Sequence, residues 1–124
     1  RNTLIVDAYN ANPTSMDAAL ANFANVEAPV KIALLGDMLE LGEDSLAEHI
    51  SVIRKTLDSG LNMICFVGSE FGRALESIPE SSCMKWFADS QTLADWLTEQ
   101  NIKGATILIK GSRGTRMEKT IKSL

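Results

Sequence analysis

Five short strand-like runs, separated by stretches of helical period, limit this chain to very few architectures. Leu4-Ile5-Val6, Val30 to Leu35, Met63 to Val67, Lys85 to Ala88 and Thr106 to Ile109 read as strands. The runs are largely apolar and bounded by polar or glycine residues, as strands buried in a parallel sheet are. Between them, apolar residues recur at helical spacing. Met16, Ala19, Leu20 and Phe23 form one stripe, and Leu46, Ile50, Ile53 and Leu57 another; Leu93, Ala94, Trp96 and Leu97 mark a third helix. Alternation of this kind predicts an α/β, three-layer, Rossmann-like domain with a mostly parallel sheet of five or six strands and right-handed crossovers. Strand order stays open, and the fourth strand is weak enough to be antiparallel or irregular.

The punctuation agrees. Asn12-Pro13 suits a helix N-cap followed by proline at the first helical position. Ser45 and Glu48 have capping-box spacing, Gly60 suits a left-handed helix end, and Gly104 ends the next helical region. Met117 to Leu124 reads as a short helix with Met117 and Ile121 inward.

At 124 residues the chain is one domain with room for a real core. A net charge of −4 leaves no basic surface for nucleic acid. No apolar run nears the roughly 20 residues that span a bilayer, so no membrane partner is expected. The chain opens directly into a strand with no leader pattern, like a piece of a longer protein. Cys65 and Cys83 show no metal spacing and are expected as buried free thiols in a reducing compartment.

In a parallel sheet, ligands sit at the carboxyl ends of the strands. That rule selects four loops. The first, Asp7 to Ser15, adds an acid, a phenol and two amides to what a turn requires; Asp7 can accept from ribose hydroxyls, and Asn10 and Asn12 can donate and accept. A turn with an N-cap is the plainer alternative. The second, Gly36 to Glu43, is a solvated acidic turn or a pocket wall whose carboxylates bind an ammonium group. The third, Gly68 to Arg73, lacks G-x-G-x-x-G spacing and reads as an ordinary strand-to-helix turn. The fourth, Lys110-Gly111-Ser112-Arg113-Gly114-Thr115-Arg116, sets three cations among glycines and suits a carboxylate or phosphate. His49 is the only histidine. It borders an apolar stripe and is expected half-buried, without metal or hydrolase partners. No G-x-x-x-x-G-K-[ST] is present to grip ATP phosphates.

Taken together, Asp7-Ala8-Tyr9-Asn10-Ala11-Asn12-Pro13, then Leu35-Gly36-Asp37-Met38-Leu39-Glu40-Leu41-Gly42-Glu43 with His49 downstream, then Lys110-Gly111-Ser112-Arg113-Gly114 with Met117-Glu118, resembles the C-terminal domain of the Mur ligase family over nearly the whole chain. It is most similar to the branch that adds D-alanyl-D-alanine to UDP-N-acetylmuramoyl-tripeptide in peptidoglycan precursor synthesis. Gly114-Thr115-Arg116 departs mildly from that pattern. The resemblance implies a cytoplasmic three-domain enzyme using ATP and Mg2+. Its N-terminal and central domains, absent from this chain, would hold the UDP-sugar, the phosphate loop and the metal. This domain would be a lid with no catalytic residue or metal ligand of its own, inactive alone. Asp7, Tyr9, Asn10 and Asn12 would face the nucleotide. Lys110, Ser112 and Arg113 would face the dipeptide carboxylate or the phosphates, with Asp37 and Glu40 as the opposite wall. The alternatives are a stand-alone nucleotide-binding module or a receiver-like signalling domain. The latter is disfavoured because the third strand ends in Val67-Gly68, without a phospho-acceptor.

Overall fold

The structure, a computed structural model, describes residues 1–124. Nine main elements follow in order: β1 (Thr3–Asp7), α1 (Pro13–Ala24), β2 (Lys31–Gly36), α2 (Ser45–Leu57), β3 (Met63–Val67), α3 (Ser69–Leu75), β4 (Met84–Phe87), α4 (Ser90–Gln100) and β5 (Thr106–Lys110). Short 3-10 segments occupy Gly42–Asp44, Arg113–Thr115 and Met117–Ser123. The five strands form one sheet in the order β1-β5-β2-β3-β4, and every pairing is parallel, β4 included.

Handedness distributes the helices. Crossovers from β1 to β2, β2 to β3 and β3 to β4 all advance the same way across the sheet, so right-handed connections lay α1, α2 and α3 on one face. There Met16, Leu20, Phe23, Ile53, Phe66 and Phe71 pack together. The return from β4 to β5 reverses direction and puts α4 on the other face. Leu93 and Leu97 meet Leu34, Cys65, Ile107 and Met117 there. β2, covered on both faces, is buried along all six residues, which is why it reads as an unbroken apolar run.

Lys31 opens β2 yet is buried. Its Nζ donates to the carbonyls of Phe23 (2.8 Å), Ala24 (3.3 Å) and Val26 (2.9 Å). A cation thus gathers carbonyls at and just beyond the end of α1 and meets the negative end of the helix dipole.

Several local expectations change. β1 pairs only with β5 and lies at the sheet edge, so Ile5 and Val6 are exposed rather than buried. On α2 the buried residues are Ser45, His49, Val52, Ile53 and Thr56, while Leu46 and Leu57 are exposed. Polar partners for Ser45 and His49 turn the helix away from its apolar stripe. The Ser45/Glu48 capping box does not form. Asp44 occupies the N-cap in helical conformation, without a side-chain cap bond, and the chain enters through the Gly42–Asp44 turn. α4 ends on Asn101, left-handed at φ 51°, ahead of Gly104. The C-terminal segment is 3-10, whose three-residue repeat puts Thr120 inward behind Met117 and leaves Ile121 exposed. Gly60 does adopt the expected left-handed conformation. Both cysteines are free; Cys65 is buried, which pushes its thiol pKa up to about 12, whereas Cys83 is only half-buried.

Candidate functional site

β5 lies between β1 and β2, but the chain leaves it toward the opposite face of the sheet. The segments after β1 and β2 turn toward α1 and α2, while the segment after β5 turns toward the α4 side. The divergence opens a crevice at the carboxyl ends of these three strands, where open α/β sheets bind ligands. The first, second and fourth candidate loops all converge there.

Their junction is polar and internal. Asp7 and Lys110 are register partners across β1 and β5. Lys110 Nζ lies 2.6 Å from Asp7 Oδ2 and donates to the Asn10 carbonyl at 2.8 Å. The lysine is 1% exposed, whereas the Asp7 side chain is half exposed. Lys110, expected to face substrate, therefore ties the first loop onto β5.

Ser112 also bonds within the fold. Its Oγ accepts from Leu39 N–H at 2.9 Å and donates to the Ala11 carbonyl at 3.3 Å, and its own N–H donates to the Asp37 carbonyl at 3.1 Å. One serine stitches three loops together. The approach is close enough that a Cβ on Gly111 would lie 3.1 Å from Gly36 Cα and 2.7 Å from Met117 Cγ.

Asn12 caps α1. Its Oδ1 accepts from Ser15 N–H at 2.8 Å, and Ser15 Oγ accepts from Asn12 N–H at 3.0 Å. That is the plainer of the two readings of this residue.

Asp37 is buried, and its carboxylate accepts from Phe71 N–H (2.9 Å) and Glu70 N–H (3.0 Å) at the start of α3. Burial pushes its pKa up, opposed by those two bonds. Gly68, at φ 113°, makes the fit possible, because a Cβ there would collide with the Asp37 carboxylate. Asp37, expected as a pocket wall, is thus engaged with the start of α3. Glu40 is exposed in left-handed backbone at φ 64° and makes no ion pair.

What remains open is a groove of about 550 Å3 between Ala8, Tyr9, Arg113, Gly114, Arg116 and Glu118. Tyr9 is 71% exposed, and the Arg113 guanidinium lies 5.0 Å above its ring. Neither Arg113 nor Arg116 pairs with a carboxylate. Two unpaired guanidinium groups beside an aromatic face can bind a carboxylate or a phosphate through paired hydrogen bonds. Asp7 and Asn10 are exposed alongside. Of the residues assigned to ligands from sequence, Tyr9 and Arg113 line this groove and Arg116 joins them, while Asp7 and Asn10 are exposed on the same segment as Tyr9. The basic cluster was the signal for Arg116.

His49 is not half-buried as its place beside the apolar stripe suggests, because its ring finds polar partners inside the fold. It is fully buried, with 0% exposure. Nδ1 lies 2.7 Å from the Ser45 carbonyl and Nε2 accepts from Met38 N–H at 3.0 Å.

Comparison with known proteins identifies the family. Residues 1–113 match the family described as "Mur ligase, glutamate ligase domain". The UDP-N-acetylmuramoyl-tripeptide–D-alanyl-D-alanine ligase of Rickettsia prowazekii is 35% identical over 95% of this chain. Its Escherichia coli counterpart is 34% identical over 98%. The chain spans 26% of each of these relatives. The crystal structure of MurF from Acinetobacter baumannii superposes with a TM-score of 0.84 at 33% identity, covering 99% of this chain and 28% of that one. By sequence and by fold, the chain belongs to the Mur ligase family and is its C-terminal domain.

Proposed function

We propose that this domain is the closing lid of a cytoplasmic three-domain enzyme that uses ATP to join D-alanyl-D-alanine to UDP-N-acetylmuramoyl-tripeptide. One observation carries the reading: the Arg113 guanidinium lies over the Tyr9 ring, free of any carboxylate, in a groove it shares with Arg116, and Asp7 and Asn10 are exposed on the segment that carries Tyr9. Further support comes from the relatives, which are named for this reaction.

On this reading the rim has two sides. Arg113, with Arg116, takes the carboxylate of the dipeptide and leaves its amine free to attack the activated tripeptide. Asp7 and Asn10 take the ribose and base side of the nucleotide. Residues held inside the fold keep these groups at fixed spacing. Fixing two reactants in this way supplies on the order of 7–11 kcal/mol in the best intramolecular cases, and closure of the lid excludes water. No three His, Cys, Asp or Glu side chains gather into a cluster in this domain. On the family resemblance, Mg2+ and the phosphate loop are assigned to the central domain, and this chain alone is expected to turn over no ATP. No helix is long and apolar enough to cross a membrane.

The test is ADP release by the full-length protein supplied with ATP and UDP-N-acetylmuramoyl-tripeptide, with and without D-alanyl-D-alanine. Dipeptide-dependent release is expected, and Arg113→Ala should impair it without loss of folding. Release that ignores the dipeptide would refute the assignment.

A further inference from the structure

The rim described above is held from beneath by a buried group that touches no ligand. His49 lies on α2 with its ring edge against Phe71, centroids 4.6 Å apart at 84°. Nδ1, 2.7 Å from the Ser45 carbonyl, carries the ring proton, because a carbonyl can only accept. Nε2 is therefore bare and accepts the N–H of Met38 at 3.0 Å. Ser45 Oγ, 3.2 Å from Nδ1, is itself anchored on Glu70 Oε1 at 2.5 Å. The neutral tautomer is thus set by contacts on both sides.

The next amide in the chain points elsewhere. Leu39 N–H donates to Ser112 Oγ at 2.9 Å, and the Leu39 side chain sits where a Cβ on Gly114 would lie 2.9 Å from its Cδ1. Successive N–H groups of one loop are thus fixed by α2 on one side and by the Ser112–Arg113 loop on the other. Met38 is fully buried, so without Nε2 its N–H would have no partner and the loop would have to move to find one.

We propose that His49 is a positioning residue for the Ser112–Arg113 loop: through Met38 and Leu39 it sets where Ser112 sits, and with it the approach of Arg113 to its anion. Only the kinetic part of this proposal rests on the ligase reading.

The experiment compares His49→Leu and His49→Gln in the full-length protein by hydrogen–deuterium exchange and by steady-state kinetics. Leucine fills the space but removes the acceptor, while the glutamine amide oxygen can replace Nε2. His49→Leu should speed exchange about threefold to tenfold, the loss of roughly one hydrogen bond, in both segments 38–41 and 111–115, with β3 and α4 unchanged. It should also lower kcat/KM for the dipeptide by roughly ten- to a hundredfold. His49→Gln should bring both readouts most of the way back. Faster exchange in 38–41 alone, or spread evenly over the domain, would overturn the proposal. Should His49→Leu fail to fold, Ser112→Ala examines the same link from its other end; unchanged exchange in 38–41 would then overturn it. If the wild-type enzyme releases no ADP in response to the dipeptide, the ligase reading fails and the exchange data alone decide the role of His49.

Discussion

Lys110 and Asp7 face each other across the β1–β5 ladder with Nζ 2.6 Å from Oδ2, and the lysine is sealed from solvent while the aspartate is not. An edge strand held by one neighbour is thereby locked at the end that carries the site. The cation serves as an internal anchor, and on the proposed reading ligand binding falls to Arg113 and Arg116.

Lys110→Met should keep the apolar stem of the side chain and lose the charge-assisted bonds to Asp7 and the Asn10 carbonyl. Stability should fall by about 1.5–3 kcal/mol, the range for hydrogen bonds to charged groups. Asp7 is half exposed and regains water, which favours the lower end. Urea denaturation measures it, and a variant as stable as the wild type would contradict the anchoring role.

The two asparagines of the first loop should separate cleanly. Asn12→Ala removes the cap of α1 and should cost about 0.5–2 kcal/mol of stability with little change in ligand affinity. Asn10 has an exposed side chain and contributes its backbone carbonyl to Lys110. Asn10→Ala should leave the denaturation midpoint alone and raise the KM for ATP in the full-length enzyme. The reverse pattern would exchange their roles.

Tyr9 should act through Arg113. A cation–π contact at an exposed site contributes about 0.5–1 kcal/mol, so Tyr9→Leu should raise the KM for the dipeptide roughly two- to fivefold, while Tyr9→Phe should not. Arg113→Lys keeps the charge but loses the planar fork and should be impaired more than Tyr9→Leu. Equal kinetics for all three variants would remove the pair from the site.

Asp37 makes a prediction about pH. Burial raises its folded-state pKa above the ordinary 3.8, so the folded state favours the protonated form. The resulting stabilisation is fully present below that ordinary value and is lost as pH rises through the raised folded-state pKa. Asp37→Asn cannot ionise and should show no such loss from this position. Measured by urea denaturation across that range, the stability of the wild type relative to Asp37→Asn should decline as pH rises. A gap that stays constant, or grows, would show that burial does not dominate at this carboxylate.

By itself, the order of apolar runs determined the α/β class, the strands and helices, and the end of the sheet that carries the candidate loops. Those properties follow from short-range periodicity and from the handedness of crossovers. Asn12-Pro13 at the head of α1 and Gly60 after α2 were legible for the same reason, since caps and turns are local chemistry. Tertiary structure decided which polar residues face outward. Lys110, Ser112 and Asp37 carry the same donors and acceptors as groups that bind ligands. Only strand order, which sets Lys110 beside Asp7, and the meeting of the loops at Ser112 direct those groups into the fold. His49 was opaque for a related reason: its partner is a backbone N–H, a group every non-proline residue carries, so no pattern of side chains could announce it.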